Sequence, residues 1–361
     1  MRLRYLLWLL CGLLLAPLST LAAGAVALSQ PSVSPDGSRI AFVANGGIWS
    51  VPSQGGTAHL LVADDGGNDS RPLYSPDGRQ LAFQSNGGSE ASGIYLLDLA
   101  SGTVRRLTWA DGGNQLDAWS RDGQWIYFSS ARDNVGGMAG VYRVRASGGT
   151  PMPVSLERYR HESMAAPSPD GASLAVVGGG MGEWQWWRHG RSHIDEGAVW
   201  LLRDDGSHQY RRLTADDARA EWPMWAPDGN TLYYMSDRSG AENIWRVPLG
   251  GGNESALTRF ADGRVLWPSL AANGKLLAFE RDFGIWTLDP ASGHAAPLTI
   301  TLAGAIRGPQ PEHENLSHGY SQIALSPDGK KLALIAHGEV FATDAADGGH
   351  ARRVTRTAAE E

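Results

Sequence analysis

The chain repeats one pattern seven times, and this repetition limits its fold more than any single residue does. Each copy has a turn related to Ser-Pro-Asp-Gly, then a short apolar segment, then Ile or Val followed by an aromatic residue. The third turn residue of the seven copies is Asp36, Asp77, Asp122, Asp170, Asp228, Asn273 and Asp328. Successive copies lie 41 to 58 residues apart, close to the roughly 40 to 50 residues of a four-stranded propeller blade. The repeat therefore predicts an all-β chain built as a β-propeller.

The residues within each copy favour strands over helices. Proline presets φ for the second position of a type I turn, and glycine accepts the left-handed conformation that closes a hairpin. The segments after the turns alternate with a period of two and are rich in β-forming residues, as in residues 39–43 and 80–84. An aromatic residue, such as Trp49 or Trp245, recurs in the next segment. We expect this aromatic residue to pack one blade against the next.

The spacing of the copies divides the chain into domains. Residues 26–300 hold six copies and predict a propeller of six four-stranded blades. Residues 301–320 lack the pattern and contain Pro309 and Pro311, so we expect a linker there. Residues 321–361 hold the seventh copy and predict the first blade of a second, truncated propeller. The alternative is one propeller of seven blades.

Residues 1–25 have the pattern of a signal peptide. Arg2 and Arg4 precede an apolar run over residues 5–15, and residues 23–25 form a cleavage site of small residues. The apolar run is too short for a comfortable membrane span, which needs about 20 residues, so no stable span is expected. We expect export to the periplasm or secretion after the signal peptide is removed.

Composition and charge exclude several classes of function. Cys11, inside the expected signal peptide, is the one cysteine, so the rest of the chain has no disulfide and no thiolate ligand. The formal net charge of −7 argues against a nucleic acid as partner. The sequence has neither a Gly-x-Ser-x-Gly motif nor a glycine-rich phosphate loop. We expect no catalytic residue, metal or cofactor in this chain, and whether it serves an enzyme stays open.

The fourth copy carries an insertion over residues 178–193 where the repeat needs only a turn. The insertion contains residue types that anchor protein interfaces, namely Trp184, Trp186, Trp187, Arg188 and Arg191. We predict a platform that binds a peptide or a neighbouring domain; the alternative is a loop that buries its own tryptophans. His189 and His193 would meet only on a helix, and the surrounding glycines argue against one. No metal site is predicted there.

Polar residues precede the innermost strand of each copy, where the loops of a propeller surround its central channel. The candidates for peptide or partner binding are Arg71, His161, Glu162 and Glu221, and related positions hold Ser70, Asp117, Arg264 and Tyr320. Their mixed charges are compatible with holding the two ends of a peptide. The alternative is that they are solvated loop residues without a common task.

The order of these features resembles a known family. The repeated Ser-Pro-Asp-Gly, Ile-Ala-Phe and Arg-Leu-Thr segments over residues 25–355 resemble the propeller repeats of the TolB and tricorn-protease group. The tryptophan-rich insertion, followed by residues 222–225, 234–238 and 302–317 in that order, looks like the N-terminal six-bladed propeller of bacterial tricorn-like serine peptidases.

This resemblance implies the non-catalytic propeller portion of a secreted tricorn-like serine peptidase, in which propellers act as passages for peptides. It implies a peptide or protein as partner, together with downstream peptidase domains. The PDZ and catalytic domains of the family are not in this sequence, so no catalytic serine or histidine is carried over. Two alternatives stay open. One is a free-standing TolB-like periplasmic propeller that scaffolds a protein complex, and the other is the front domain of another propeller-bearing hydrolase, such as an amidohydrolase or prolyl-oligopeptidase relative.

Overall fold

The computed structural model describes residues 26–63, 68–86, 92–109, 113–134, 136–155, 160–179, 197–204, 207, 209–214, 218–303, 320–336, 339–346 and 348–354. Every regular element within these ranges is a β-strand. The same residues contain no helix that is long and apolar enough to cross a membrane. The all-β class predicted from the repeat is confirmed.

The strands form seven antiparallel sheets, each of which corresponds to one copy of the repeat. Sheet 1 contains β1 (Ser29–Val33), β2 (Arg39–Ala44), β3 (Gly47–Pro52) and β4 (Gly56–Val62). Sheet 2 contains β5 (Ser70–Tyr74), β6 (Gln80–Ser85), β7 (Gly93–Asp98) and β8 (Val104–Arg106). Sheet 3 contains β9 (Gln115–Trp119), β10 (Trp125–Ser130), β11 (Gly140–Arg145) and β12 (Met152–Pro153).

The remaining sheets repeat this order, with each strand paired to the next along the chain. Sheet 4 contains β13 (Glu162–Pro167), β14 (Ser173–Gly179), β15 (Gly197–Arg203) and β16 (Tyr210–Arg212). Sheet 5 contains β17 (Ala220–Trp225), β18 (Thr231–Ser236), β19 (Asn243–Pro248) and β20 (Ser255–Ala256). Sheet 6 contains β21 (Leu266–Leu270), β22 (Leu277–Arg281), β23 (Gly284–Leu288) and β24 (Ala295–Pro297). After β25 (Ile300–Leu302), sheet 7 contains β26 (Tyr320–Leu325), β27 (Lys331–Ala336), β28 (Glu339–Asp344) and β29 (Gly348–Arg353).

The Ser-Pro-Asp-Gly turns join the first and second strands of their sheets, and their own side chains fix them. In the first turn, the Ser34 hydroxyl donates to the Asp36 carboxylate at 2.6 Å, and the Ser38 N–H donates to it at 3.0 Å. Because these bonds favour the charged carboxylate, they lower the pKa of Asp36 to about 2. Gly37 takes a φ of 77°, which a residue with a Cβ adopts only at a cost. The serine–aspartate bond recurs in the turns of sheets 2, 3, 4 and 7.

The threonine of the recurring Leu-Thr pair fixes the third strand of its sheet. The Ile94 N–H donates to the Thr108 hydroxyl at 2.9 Å, and the Ile244 N–H donates to the Thr258 hydroxyl at 2.9 Å. Ser155 takes the same role in sheet 3. All three hydroxyl residues are buried, so each one satisfies a backbone donor where water is excluded.

The core lies between neighbouring sheets. Ile48 of sheet 1 packs with Leu81 and Phe83 of sheet 2, whereas Phe42 of sheet 1 packs with Ile285 of sheet 6. The first strands follow the same order, because β1, β5, β9, β13, β17 and β21 each contact the next and β21 contacts β1. Six first strands therefore surround one axis, which is the arrangement of a β-propeller. The division of the chain into a six-bladed ring and the start of a second ring stays a prediction.

β25 joins sheet 6 back to sheet 1. It pairs in parallel with β4, and Ile300 lies opposite Gly56. The Gly56 N–H donates to the Thr299 carbonyl at 2.9 Å, and the Ala303 N–H donates to the Ala58 carbonyl at 2.9 Å. The first two residues of the expected linker thus belong to a strand, because the open edge of β4 offers them hydrogen-bond partners.

Sheet 7 is less buried than the other sheets. Ile323 and Leu325 of β26 are 58% and 61% exposed, whereas Ile40 and Leu81 at the centres of sheets 1 and 2 are fully buried. Within β27, Ala336 alone is buried. Since burial of apolar area is the main stabilising term in folding, we expect sheet 7 to be the least stable of the seven.

Candidate functional site

A cavity of about 260 Å³ lies on the axis between the first strands, and we call it the channel. Its wall includes residues of β1, β5, β9, β13, β17 and β21. Much of this wall is proline and tryptophan, as the lining residues Pro31, Pro72, Trp119, Trp222, Pro223, Trp225, Trp267 and Pro268 illustrate. A largely apolar concave site with a few polar groups is typical of ligand binding. The channel is therefore the candidate functional site.

The backbone of five first strands is bulged at the residue that enters the channel. Gln30, Arg71, Met164, Trp222 and Trp267 have φ values between 51° and 57°, a conformation that costs roughly 1–2 kcal/mol for a residue with a Cβ. Each lies where the register between the first and second strands shifts. A bulge changes the direction of its side chain, and all five residues line the channel. Backbone strain repeated at one level of a cavity points to function there.

Arg71 reaches across one end of the channel, from sheet 2 to sheets 5 and 6. Its guanidinium carbon lies 5.1 Å from the ring centre of Trp222 and 4.3 Å from that of Trp267. The two indole rings are 4.3 Å apart. Arg71 also donates from Nε and Nη2 to the Leu116 carbonyl at 3.0 and 2.6 Å. Two aromatic faces and one carbonyl therefore hold this cation in place.

The turns between first and second strands surround the other end of the channel. Pro35, Pro76 and Pro169 line it from sheets 1, 2 and 4, whereas Arg121 and Ala272 occupy the same turn position in sheets 3 and 6. Arg121 Nη2 donates to the Ala272 carbonyl at 3.1 Å. Because two sheets separate sheets 3 and 6 in either direction around the axis, this hydrogen bond crosses the channel.

Asp117 adds a negative charge to the channel wall. Its carboxylate accepts a short hydrogen bond from the Ser129 hydroxyl and a longer one, of 3.5 Å, from the Gln115 amide. With Arg71 and Arg121, the wall carries two positive charges and one negative charge. The described part of the chain holds no group of three or more His, Cys, Asp or Glu side chains that could bind a metal ion.

His161 and Glu162 lie at the start of β13, outside the channel wall. Glu162 is fully buried and accepts a hydrogen bond from the Tyr210 hydroxyl at 3.2 Å. Nδ1 of His161 accepts from the Ala139 N–H at 3.3 Å. Burial lowers the pKa of His161 below its ordinary value, so its imidazole is neutral at pH 7. These contacts fix the loop before β13.

Glu221 belongs to a buried network of charges at the start of sheets 5 and 6. Arg219 lies 3.8 Å from Glu221 and 3.4 Å from Glu242. Glu242 also accepts from Arg264 Nε at 3.1 Å and from the Val265 N–H at 2.8 Å. The opposite charges and these hydrogen bonds offset the cost of removing the groups from water. The network connects the loops that precede β17 and β21.

The structure treats the sequence-predicted site residues differently. Arg71 lines the channel, whereas His161, Glu162 and Glu221 do not. The five insertion residues, Trp184, Trp186, Trp187, Arg188 and Arg191, lie outside the described residues. A role in peptide or partner binding stays a prediction for all of them.

Sequence reasoning misses Trp222 and Trp267 as channel residues, although a signal is present. Each directly precedes a proline in a first strand, as Arg71 precedes Pro72. Proline within a sheet belongs at an open edge or at a bulge, and the open edge of a first strand faces the propeller axis. The residue before each such proline could therefore have been placed at the channel.

Comparison with known proteins agrees with this architecture. A family model for the tricorn protease N-terminal beta propeller domain matches residues 25–294. Tricorn protease homolog 1 of Streptomyces coelicolor is 28% identical over 280 residues, which cover 75% of this chain and 24% of that protein. The crystal structure of the tricorn protease superimposes with a TM-score of 0.65 at 19% identity, over 92% of this chain and 31% of that one. A putative TolB from Agrobacterium tumefaciens gives a TM-score of 0.51 at 20% identity, over 91% and 89%.

At these identities the two solved structures show the fold alone. The chain spans 24% of the Streptomyces relative and 31% of the tricorn protease chain, so it corresponds to a part of those proteins. The family match is broader in this chain, since residues 25–294 include β1 to β23. The chain therefore belongs to the family of tricorn protease N-terminal β-propeller domains.

Proposed function

We propose that this chain is the non-catalytic propeller portion of a secreted tricorn-like serine peptidase, and that it binds a peptide or an extended protein segment in its channel. One observation carries the proposal: six sheets contribute to a channel whose wall combines the Arg71 guanidinium with the rings of Trp222 and Trp267. Membership of the tricorn N-terminal propeller family supports this role.

The chemistry of the wall suits a peptide. A guanidinium donates to peptide carbonyls and to a terminal carboxylate, while proline and tryptophan faces accept apolar side chains. The channel volume of about 260 Å³ is just below the roughly 300–1,000 Å³ typical of small-molecule sites. A narrow peptide segment or a chain end fits such a volume better than a folded domain does.

Hydrolysis would belong to other domains or to a partner peptidase, because the sequence offers no identifiable nucleophile motif. Peptide passage and export are part of the same proposal. The signal-peptide pattern over residues 1–25 supports export to the periplasm or beyond.

The proposal is tested by titrating the full chain with a set of short peptides and following tryptophan fluorescence and heat of binding. Arg71→Ala should weaken binding by about 1–3 kcal/mol, since an arginine anchor stacked on two rings is lost. Arg79→Ala is the matched control, because Arg79 is exposed and does not line the channel. Unchanged affinity in Arg71→Ala would reject the channel as the binding site.

A TolB-like scaffold is the second candidate function. It is favoured by the match to the putative TolB, which extends over 91% of this chain and 89% of that one. A scaffold would bind a folded periplasmic protein on its outer surface, so cross-linking in a periplasmic extract would capture a partner whose binding Arg71→Ala leaves unchanged.

A further inference from the structure

We infer that the channel is a closed chamber rather than an open passage, sealed at one end by Arg71 and closed at the other by Arg121, which acts as a movable latch. The inference rests on the proposed function, since it adds to peptide binding the end at which a ligand enters. The two arginines lie at opposite ends of the same wall, Arg71 at the bulged residues and Arg121 at the turns.

The Arg71 end is firmly closed. Its guanidinium is held by the rings of Trp222 and Trp267 and by two hydrogen bonds to the Leu116 carbonyl. Trp222 is 6% exposed, so little water is available to replace these contacts. The two indoles pack on each other at 4.3 Å, and opening this end therefore requires three large side chains to move together.

The Arg121 end is closed by a weaker contact. Among the described residues, the Arg121 guanidinium makes one hydrogen bond, to the Ala272 carbonyl at 3.1 Å. Arg121 is exposed, so water replaces this bond at little net cost. Exposed side chains change rotamer within picoseconds to nanoseconds. The latch is therefore expected to open and close without any change in the backbone.

The sequence departs from its own repeat at the two residues that this bond joins. Four turns have proline at this position, in Pro35, Pro76, Pro169 and Pro227, and the seventh copy has Pro327. Sheet 3 has Arg121 instead, and sheet 6, on the opposite side of the channel, has Ala272. A proline ring is too short to cross the channel, whereas arginine spans it and alanine leaves room for the guanidinium. The two departures from the repeat thus complement each other.

A ligand would enter and leave at the turn face, past Arg121. While the latch is open, a peptide carbonyl or carboxylate can accept from Arg121 in place of the Ala272 carbonyl. A peptide longer than the channel would remain partly outside, because Arg71 blocks the far end.

Thiol reactivity tests the latch without any peptide. Cys11 is the one native cysteine, so a full chain with Cys11→Ser accepts a single reporter cysteine. Ala118→Cys on β9 places the reporter on the channel wall, and Ala166→Cys on β13 provides a second, independent position. The measured quantity is the rate of modification by a small and by a bulky methanethiosulfonate.

Arg121→Ala should speed modification by the bulky reagent by up to about tenfold, the effect of removing one hydrogen bond from the closed state. Arg79→Ala, which removes an exposed arginine near the neighbouring turn, should leave the rate unchanged. The small reagent should respond less to Arg121→Ala than the bulky one. Unfolding midpoints establish that each variant is folded.

Two results would overturn the inference: a bulky-reagent rate that Arg121→Ala does not change, as expected if the Arg71 end is open, or an equal acceleration by Arg79→Ala. Peptide binding is measured separately. If no peptide binds but Arg121→Ala still speeds modification, the proposed function fails and the latch stands. If peptides bind but the rates do not differ, the latch fails and the proposed function stands.

Discussion

Gly55→Ala should weaken the pairing of β25 with β4 that joins sheet 6 to sheet 1. Gly55 has a φ of 89°, and a Cβ added there would lie 2.5 Å from the Thr299 carbonyl oxygen and 3.3 Å from Leu298 Cδ1. The same Thr299 oxygen accepts the Gly56 N–H at 2.9 Å. Because the closest atom belongs to the backbone, the clash can be relieved only by moving the segment that leads into β25.

The magnitude combines two costs. A residue with a Cβ loses roughly 1–2 kcal/mol at such a positive φ, and overpacking against the backbone adds about 1–3 kcal/mol. The free energy of unfolding should therefore fall by roughly 2–5 kcal/mol. Gly102→Ala separates the two costs, because Gly102 has a φ of 72° and an added Cβ would meet no atom within 4 Å. It should lose only the first, about 1–2 kcal/mol.

Urea denaturation followed by tryptophan fluorescence measures the two free energies. Hydrogen exchange of the Gly56 and Ala303 amides, which donate across this pairing, reports the closure directly and should accelerate in Gly55→Ala only. Equal losses of stability in the two variants, with equal exchange, would refute the reasoning, because the effect would then come from φ alone.

Four further predictions follow from other parts of the molecule. The pKa of Asp36 is about 2 in the folded chain against an ordinary value of 3.8, so its charged form stabilises the fold above pH 3.8 and this contribution is lost as the pH falls towards 2; Asp36→Asn should reduce the pH dependence of the urea midpoint over that window, and an unchanged dependence would contradict the assignment. Glu242→Ala should cost about 3–5 kcal/mol of folding free energy because it leaves buried Arg219 without this partner; a loss under about 1 kcal/mol, the size of an exposed pair, would show that the network is solvated. Amides of residues 332–335 in sheet 7 should exchange faster than those of residues 81–83 in sheet 2, and equal protection would instead favour one seven-bladed ring. The purified chain should leave casein intact, and cleavage that disappears on substitution of one serine would disprove the absence of catalysis.

Much of the fold could be predicted because it is encoded by neighbours along the chain. The turn residues set the strand ends, so residues 39–43 and 80–84, predicted as strands, lie within β2 and β6. β25 was missed because Ile300–Leu302 is too short to show a period of two. Its partner also belongs to the first copy of the repeat, and no local pattern records a pairing between the two ends of the series of sheets.

The candidate site could be predicted only in part, for a related reason. Arg71 was identified because a charged residue just before an inner strand is unusual. Trp222 and Trp267 were not, because an aromatic residue in a strand is normally part of the core. Arg121 stood out as the residue that replaces proline in a turn, but its meaning depends on Ala272, which lies across the channel.

The prolines of the first strands determine how long a bound peptide would stay. Pro31, Pro72, Pro223 and Pro268 lie on strands whose open edges face the channel. Proline has no N–H to donate, so these edges present an interrupted row of donors. A peptide in the channel therefore cannot be captured as an added strand. It would be held by side chains alone and released quickly, which suits a site that many different sequences must occupy in turn.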